Sequence, residues 1–230
     1  MEFEKFIFIL ENDYKKEIKM VTIRNEKETD YAKVEEITRK AFYNLYVPGC
    51  VEHYLVHIMR NHNDFVPELD FVLEKENEII GNIMYTKSKL IDKSGEEKQI
   101  LTFGPVCILP EYQRMGYGKM LIEHSFDKAI EMGYDTIVIF GSPSNYVSLG
   151  FQSCKKYHIC DENGKYPTAM MIKELKQNAL EGKKWTYYYS DIMNVDEKEA
   201  QKFDENLEKM EKKYQKSQEE FYIYSHSFVE

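Results

Sequence analysis

Two glycines, Gly116 and Gly118, stand where this sequence has its clearest chemical signal. They lie in Val106-Cys107-Ile108-Leu109-Pro110-Glu111-Tyr112-Gln113-Arg114-Met115-Gly116-Tyr117-Gly118-Lys119, where an apolar strand pattern gives way to a turn and then a long helical stripe. A helix N-terminus leaves its first N–H groups unpaired and carries a positive partial charge. Glycine removes the Cβ that would hold an oxygen ligand away. The combination is an anion site suited to a pyrophosphate, with Arg114 and Lys119 adding charge at its rim. Two other phosphate-binding patterns fail. The dinucleotide fingerprint needs a third glycine where Leu121 stands. The phosphate loop needs Gly-Lys-Ser/Thr, but Gly118-Lys119 is followed by Met120, Gly164-Lys165 by Tyr166 and Gly182-Lys183 by Lys184.

The remaining chemistry-bearing residues are less specific. His53 and His57 share a helix face, but Tyr54 follows His53 where the glutamate of H-E-x-x-H would stand, so no metal site is expected. Cys50, Cys107, Cys154 and Cys160 form no C-x-x-C pair and read as reduced thiols of a cytoplasmic protein. Cys107 faces opposite to Val106 and Ile108 on a strand, as a small core residue rather than a nucleophile. Trp185-Thr186-Tyr187-Tyr188-Tyr189 reads as an aromatic strand packed on the core, or as a pocket wall able to make cation–π contacts.

The elements that must position these residues follow from periodicity. Met20 to Arg24 reads as a strand, and Thr29 or Asp30 caps a helix through Ala32, Val34, Ile37 and Ala41. A second helix covers Val51 to Met59. Strands follow at Asp70–Glu74, Ile79–Tyr85 and Lys98–Leu109, with polar turns at 76–78 and 92–97. The helix from Gly116 to Met132 ends at Gly133, and Thr136–Phe140 is a strand buried on both faces. This order makes a layered α/β (α+β) domain. Residues 1–19 read as an extension, with Phe6–Leu10 as a small extra strand or helix. Asp196–Ser217 reads as one amphipathic helix with its stripe at Phe203, Leu207, Met210 and Tyr214.

Gln113-Arg114-Met115-Gly116-Tyr117-Gly118 matches the Gln/Arg-x-x-Gly-x-Gly/Ala signature of the GNAT (Gcn5-related N-acetyltransferase) superfamily, and Leu109-Pro110-Glu111-Tyr112 resembles its usual approach. Tyr146-Val147-Ser148-Leu149-Gly150-Phe151 is similar to the second landmark, a tyrosine four residues before Gly-Phe. Gly141–Tyr146 looks most like the YhbS-like branch. The resemblance covers roughly Met20 to Leu175. It implies a mixed, mostly antiparallel central sheet splayed at the cofactor site and flanked by helices. Gly104-Pro105 inside a strand fits such a splay, because proline cannot donate to a ladder. The domains implied are an extension at 1–19, the acetyltransferase domain at 20–175, and a C-terminal extension at 176–230 packing over the acceptor side.

The resemblance further implies direct attack of a primary amine on the thioester of acetyl-coenzyme A. By position, Val106 and Ile108 would pair with the pantetheine across the strand that also holds Cys107. The Val106 N–H would polarise the thioester oxygen. Gln113 and the amides of Arg114, Met115, Gly116, Tyr117, Gly118 and Lys119 would hold the pyrophosphate, and Tyr146 would protonate the leaving thiolate. The glutamate that many relatives place eleven residues before the Gln/Arg is Thr102 here. The base is therefore open among Glu52, His53, His57, His62 and Glu68.

Composition bounds the partners. The net charge is -9, which disfavours a general nucleic-acid binder, and no apolar run is long enough to span a membrane. The expected partners are acetyl-coenzyme A and an amine acceptor, with a homodimer open. The rival readings are a non-catalytic acyl-coenzyme A sensor and a protein-interaction module on a degenerate fold.

Overall fold

In the hairpin between Phe71 and Asp92, Glu76 and Asn77 both take positive φ, 54° and 67°, the geometry that lets a two-residue turn match the twist of its strands. The computed structural model describes residues 5–7 and 20–230. Its strands and helices, in chain order, are β1 (Lys5–Ile7), β2 (Met20–Asn25), α1 (Tyr31–Phe42), α2 (Glu52–Met59), β3 (Phe71–Lys75), β4 (Glu78–Asp92) and β5 (Glu97–Ile108). Next come α3 (Tyr117–Glu131), β6 (Thr136–Phe140), α4 (Pro143–Tyr146), β7 (Gln152–Ser153), β8 (Ile159–Cys160), β9 (Met170–Glu174), β10 (Trp185–Tyr188), α5 (Glu197–Glu205) and α6 (Lys216–Ser225).

Among the described residues, ten strands form one mixed, mostly antiparallel sheet, eight of them in the order β1-β2-β3-β4-β5-β6-β9-β7, with β10 pairing β4 and β8 pairing β10. β4 is the long spine. β5 lies along one edge of it, while β3 and then β10 share the other. β5 and β6 run parallel and meet only at Leu101 and Ile137, then part. Alternation sorts the buried side chains at this end. Leu101, Phe103, Ile137, Ile139 and Met171 join the larger core with Phe126 of α3. Ile100, Val138, Met170 and Ile172 join a smaller core with Leu180, Trp185 and Tyr187.

Several expectations need correction. Asp30 stands at the N-cap of α1 without capping it, since its carboxylate accepts the Lys27 N–H and the Arg24 guanidinium instead. The expected single helix over 196–217 is broken. α5 ends at Glu205, and the main chain of Glu208, Met210 and Glu211 accepts hydrogen bonds from Arg39, Tyr43 and Asn44. These long-range bonds outweigh a stripe whose last member, Tyr214, is 68% exposed. Of the apolar stretch at 6–10, Phe6 and Ile7 belong to β1, which pairs with β2, and the rest lies outside the described residues. The four cysteines are free thiols. Among the described residues no helix is long and apolar enough to cross a membrane.

Candidate functional site

β5 reaches the site distorted. Opposite it, β4 advances two residues from Ile83 to Tyr85 while β5 moves three, from Val106 to Phe103. The extra residue is a bulge at Gly104-Pro105, as the proline requires. In an antiparallel ladder a residue directs both main-chain groups to one neighbour. Leu109 donates to Ile80 at 2.8 Å, so Leu109 and Cys107 face β4. Val106 and Ile108 therefore turn their main-chain groups away from β4, toward the gap that opens once β6 has left. The side-chain amide of Gln113 donates to the Ile108 carbonyl at 2.9 Å, leaving that residue's N–H as the group free to pair. Gly81 lets the strands approach here, because a Cβ would lie 2.4 Å from Cδ1 of Ile108.

The turn after β5 presents its amides outward. Arg114 has φ 62° and Gly116 φ 87°, left-handed values that rotate successive N–H groups to one side. α3 begins at Tyr117 without a side-chain cap, and its first internal bond is Met120 N–H to the Gly116 carbonyl at 3.0 Å. A turn at Gln113–Arg114 closes on Met115, and among the described residues no main-chain acceptor takes the N–H of Gly116, Tyr117, Gly118 or Lys119. A Cβ on Gly116 would meet nothing within 4 Å, so the space before this row is open. The side chains of Met115 and Tyr117 do not face it: Met115 is exposed, and Tyr117 is buried against Tyr112.

These groups share one cleft of about 740 Å³. Val106, Cys107, Ile108, Gln113, Arg114, Gly116, Gly118, Lys119 and Tyr146 all line it. The Cys107 side chain is buried beside the Thr38 hydroxyl at 3.4 Å, and burial pushes the thiol up to about 11, which makes it inert. Tyr146 ends α4 and packs edge-on against Phe151 and tilted on Phe103. Burial, with a smaller contribution from Tyr224, pushes its phenol up to about 12, so it keeps its proton at neutral pH. Gly141 is needed for this placement, because a Cβ there would lie 2.5 Å from the Tyr146 ring.

Of the five base candidates, Glu52 alone lines the cleft. Burial raises its carboxyl to about 6, opposed by the N–H groups of Glu52 and Val51, the latter at 3.0 Å. No lysine, arginine or histidine among the described residues pairs with it. His53 is wholly buried between Cys50, 3.3 Å away, and Asp204, 3.1 Å away. Burial lowers the His53 pKa against the pull of Asp204, and burial raises the Cys50 thiol. This thiol–imidazole–carboxylate row, its thiol and imidazole both shifted toward their uncharged forms, is therefore a structural clamp on α5, not an activated nucleophile. His57 pairs with Glu35 at 3.0 Å, and Glu68 is exposed on a turn. His62 pairs with Asp191 at 2.9 Å in a cluster with Asp64, whose metal-ligating atoms lie within 4.8 Å of one another.

Part of the wall was not foreseen from the sequence. Tyr46 lies in the turn after α1, Phe140 ends β6, and Met193 and Asn194 follow β10. Tyr187 and Tyr189 both line the cleft, so the aromatic run is strand and wall at once. The buried Thr102 hydroxyl bonds Ser88 at 2.9 Å and sits in a short hydrogen bond with the Tyr187 hydroxyl. Only the Trp185–Tyr189 run hinted at these partners. The others are ordinary core types brought together by long-range pairing.

Comparison with known proteins agrees with this geometry. Residues 39–153 match the Acetyltransferase (GNAT) family model. The uncharacterized N-acetyltransferase YhbS of Escherichia coli K12 is 24% identical over 160 residues, spanning 70% of this chain and 90% of that protein. Its fellow YjhQ is 30% identical over 90 residues, 38% of this chain and 48% of that one. The crystal structure of E. coli YhbS in complex with CoA superposes with TM-score 0.68 at 21% identity, covering 79% of this chain and 96% of that one. A GNAT acetyltransferase from Brucella melitensis in complex with acetyl-CoA gives 0.59 at 20% identity, covering 75% and 97%. The chain belongs to the GNAT family of acetyltransferases, in its YhbS-like branch, and is an acyltransferase by membership.

Proposed function

We propose that the cleft binds acetyl-coenzyme A and transfers its acetyl group directly to a primary amine of a small molecule or peptide. The observation that carries this reading is the row of unpaired N–H groups from Gly116 to Lys119, opening into the same cleft as the free edge of Val106 and the Tyr146 phenol. The row would hold the pyrophosphate, and the β5 edge would hold the pantetheine as a substitute strand. Relatives of the same fold in complex with CoA and acetyl-CoA support the choice of co-substrate.

In the reaction, the ammonium gives one proton to the Glu52 carboxylate. The nitrogen lone pair then attacks the thioester carbonyl and forms the C–N bond. The Val106 N–H stabilises the developing oxyanion. The C–S bond breaks with its electron pair on sulfur, and the Tyr146 phenol protonates the thiolate. The phenolate recovers a proton from the adduct nitrogen, which is far more acidic than a phenol. Glu52 releases the remaining proton to solvent. Thr102 bears no charge, and Glu52 supplies the carboxylate from α2 instead.

Calorimetric titration with acetyl-coenzyme A, followed by an assay of released thiol, tests this reading. Gly116→Glu places a side chain and a like charge before the amide row and is expected to abolish binding. An unchanged dissociation constant in that variant would remove the site assignment. Tight binding with no turnover on a broad amine panel would replace the enzyme with an acyl-coenzyme A sensor.

A further inference from the structure

The end of the cleft walled by α2, β10 and the turn after it is chemically unlike the end at the amide row. Among the described residues only three charged side chains line the cleft, namely Glu52, Arg114 and Lys119. Both cations belong to the turn and first helical residues around Gly116. The α2–β10 end therefore has a single carboxylate and no cation. Removing that carboxylate from water without a counter-ion is costly, and a bound cation relieves the cost. A perturbed carboxyl in a cleft, without an internal counter-ion, marks a ligand contact more than a packing element.

The β10 side of the cleft also carries a cluster of aromatic rings beside Thr102, Met193 and Asn194. Phe140, Tyr187 and Tyr189 form a three-ring corner, with centroids 6.0 Å (Phe140–Tyr187), 6.2 Å (Phe140–Tyr189) and 6.1 Å (Tyr187–Tyr189) apart. Phe140 remains 47% and Tyr189 38% exposed although both line the cleft. Exposed ring faces in a concavity gain most from a flat apolar ligand, which buries area and adds offset or edge-on ring contact. The hydroxyls are otherwise engaged: Tyr187 bonds Thr102, and Tyr189 donates to Asn194 at 3.1 Å. Both tyrosine rings are thereby held in place: Tyr187 is buried at the back of the corner, and Phe140 and Tyr189 are the rings left exposed to a ligand.

Resting on the reading of the cleft as an acetyl-transfer site, we infer that the acceptor is an arylalkylamine: one primary ammonium on a short alkyl arm, with an uncharged aromatic body. The ammonium pairs with Glu52, and the aryl group lies in the Phe140–Tyr187–Tyr189 corner. A free amino acid would bring a carboxylate to an end that has no cation to meet it. A polyamine would bring further ammonium groups with no second carboxylate. The net charge of -9 attracts cations of either kind to the surface, so selection falls to the cleft.

The test measures thiol release at saturating acetyl-coenzyme A with 2-phenylethylamine, spermidine and lysine. It also measures calorimetric binding of 2-phenylethylamine to the protein holding coenzyme A. Expected are a kcat/KM for 2-phenylethylamine at least tenfold above the other two, and a KM for it raised about tenfold by Phe140→Ala or Tyr189→Ala. Acetyl-coenzyme A affinity, measured on each variant, reports that it is folded. Equal or greater efficiency with spermidine or lysine overturns the arylalkylamine assignment and leaves acetyl transfer standing. The assignment falls equally if both ring variants keep the wild-type KM. Failure of the wild-type protein to bind acetyl-coenzyme A overturns the transfer reading and this one with it.

Discussion

Two side chains in the cleft stand in opposite protonation states at neutral pH, although burial moves both in the same direction. Burial raises Glu52 to about 6 and Tyr146 to about 12. At pH 7 the first is mostly ionised and the second fully protonated, which is the pairing an acid–base reaction needs. With Glu52 acting as base, kcat at saturating amine should climb as pH rises through about 6. It should show no fall from Tyr146 below pH 10, since the phenol loses its proton only near 12. Glu52→Gln should remove the acidic limb, so an identical limb in that variant would take the base role from Glu52. Tyr146→Phe should lower kcat by about 10²-fold or more, within the range for a lost proton donor, while acetyl-coenzyme A binds nearly as before. Full turnover in that variant across the pH range would mean that the sulfur finds its proton elsewhere.

At the scale of elements, legibility followed the range of the interactions. The β5–turn–α3 unit is local: Pro105 and Gly116 each declare their backbone role within a few residues, and the structure has a register shift at the first and a left-handed φ at the second. The break in the 196–217 helix is not local. Its apolar spacing is helical, yet Arg39, Tyr43 and Asn44, more than 160 residues earlier, draw the main chain of 208–211 out of a helix. The aromatic corner was hidden for a similar reason, since Phe140 and Tyr189 reach one wall through β6 and β10, strands on different parts of the sheet. That Glu52 lines the cleft, while the other four base candidates do not, likewise follows from the packing of α2. The C-terminal segment is clamped by Asp204, which accepts Arg39 at 2.7 Å and faces His53 at 3.1 Å. Arg39 and His53 are both buried, so Asp204→Ala strands a guanidinium inside the protein. Denaturant unfolding should show a loss of about 3 kcal/mol, the cost of breaking such a pair from one side. A loss under about 0.5 kcal/mol would mean that the clamp is solvated and that α5 is held by apolar packing alone.

Across the whole molecule, the reactive cleft is matched by a second buried carboxyl cluster remote from it. Arg60 bonds Glu26 at 2.7 Å and Glu35 at 2.8 Å, and Asp70, buried at the start of β3, shares a hydrogen bond with Glu26. The Nδ2 of Asn82 donates to Asp70 at 2.9 Å. Burial, then the hydrogen bond and charge of Glu26, push the Asp70 carboxyl far above the aspartate range, against the smaller pull of Asn82 and Arg60. The folded chain therefore holds a proton that the unfolded chain releases at ordinary aspartate pH. Stability from this group is complete below the unfolded pKa and declines as pH rises toward the folded value, by up to about 1.4 kcal/mol per pH unit. That slope is opposite in sign to the usual salt-bridged aspartate. Asp70→Asn keeps a donor for Glu26 and an oxygen for Asn82 but has no proton to lose. Its melting temperature should hold steadier than that of the wild type between pH 6 and 9, and the two curves should converge toward acid pH. Parallel curves over that range would place the proton elsewhere in the cluster. Since no residue of this cluster lines the cleft, the same substitution should leave the pH at which kcat rises unmoved, separating the proton that stabilises the fold from the one that serves the reaction.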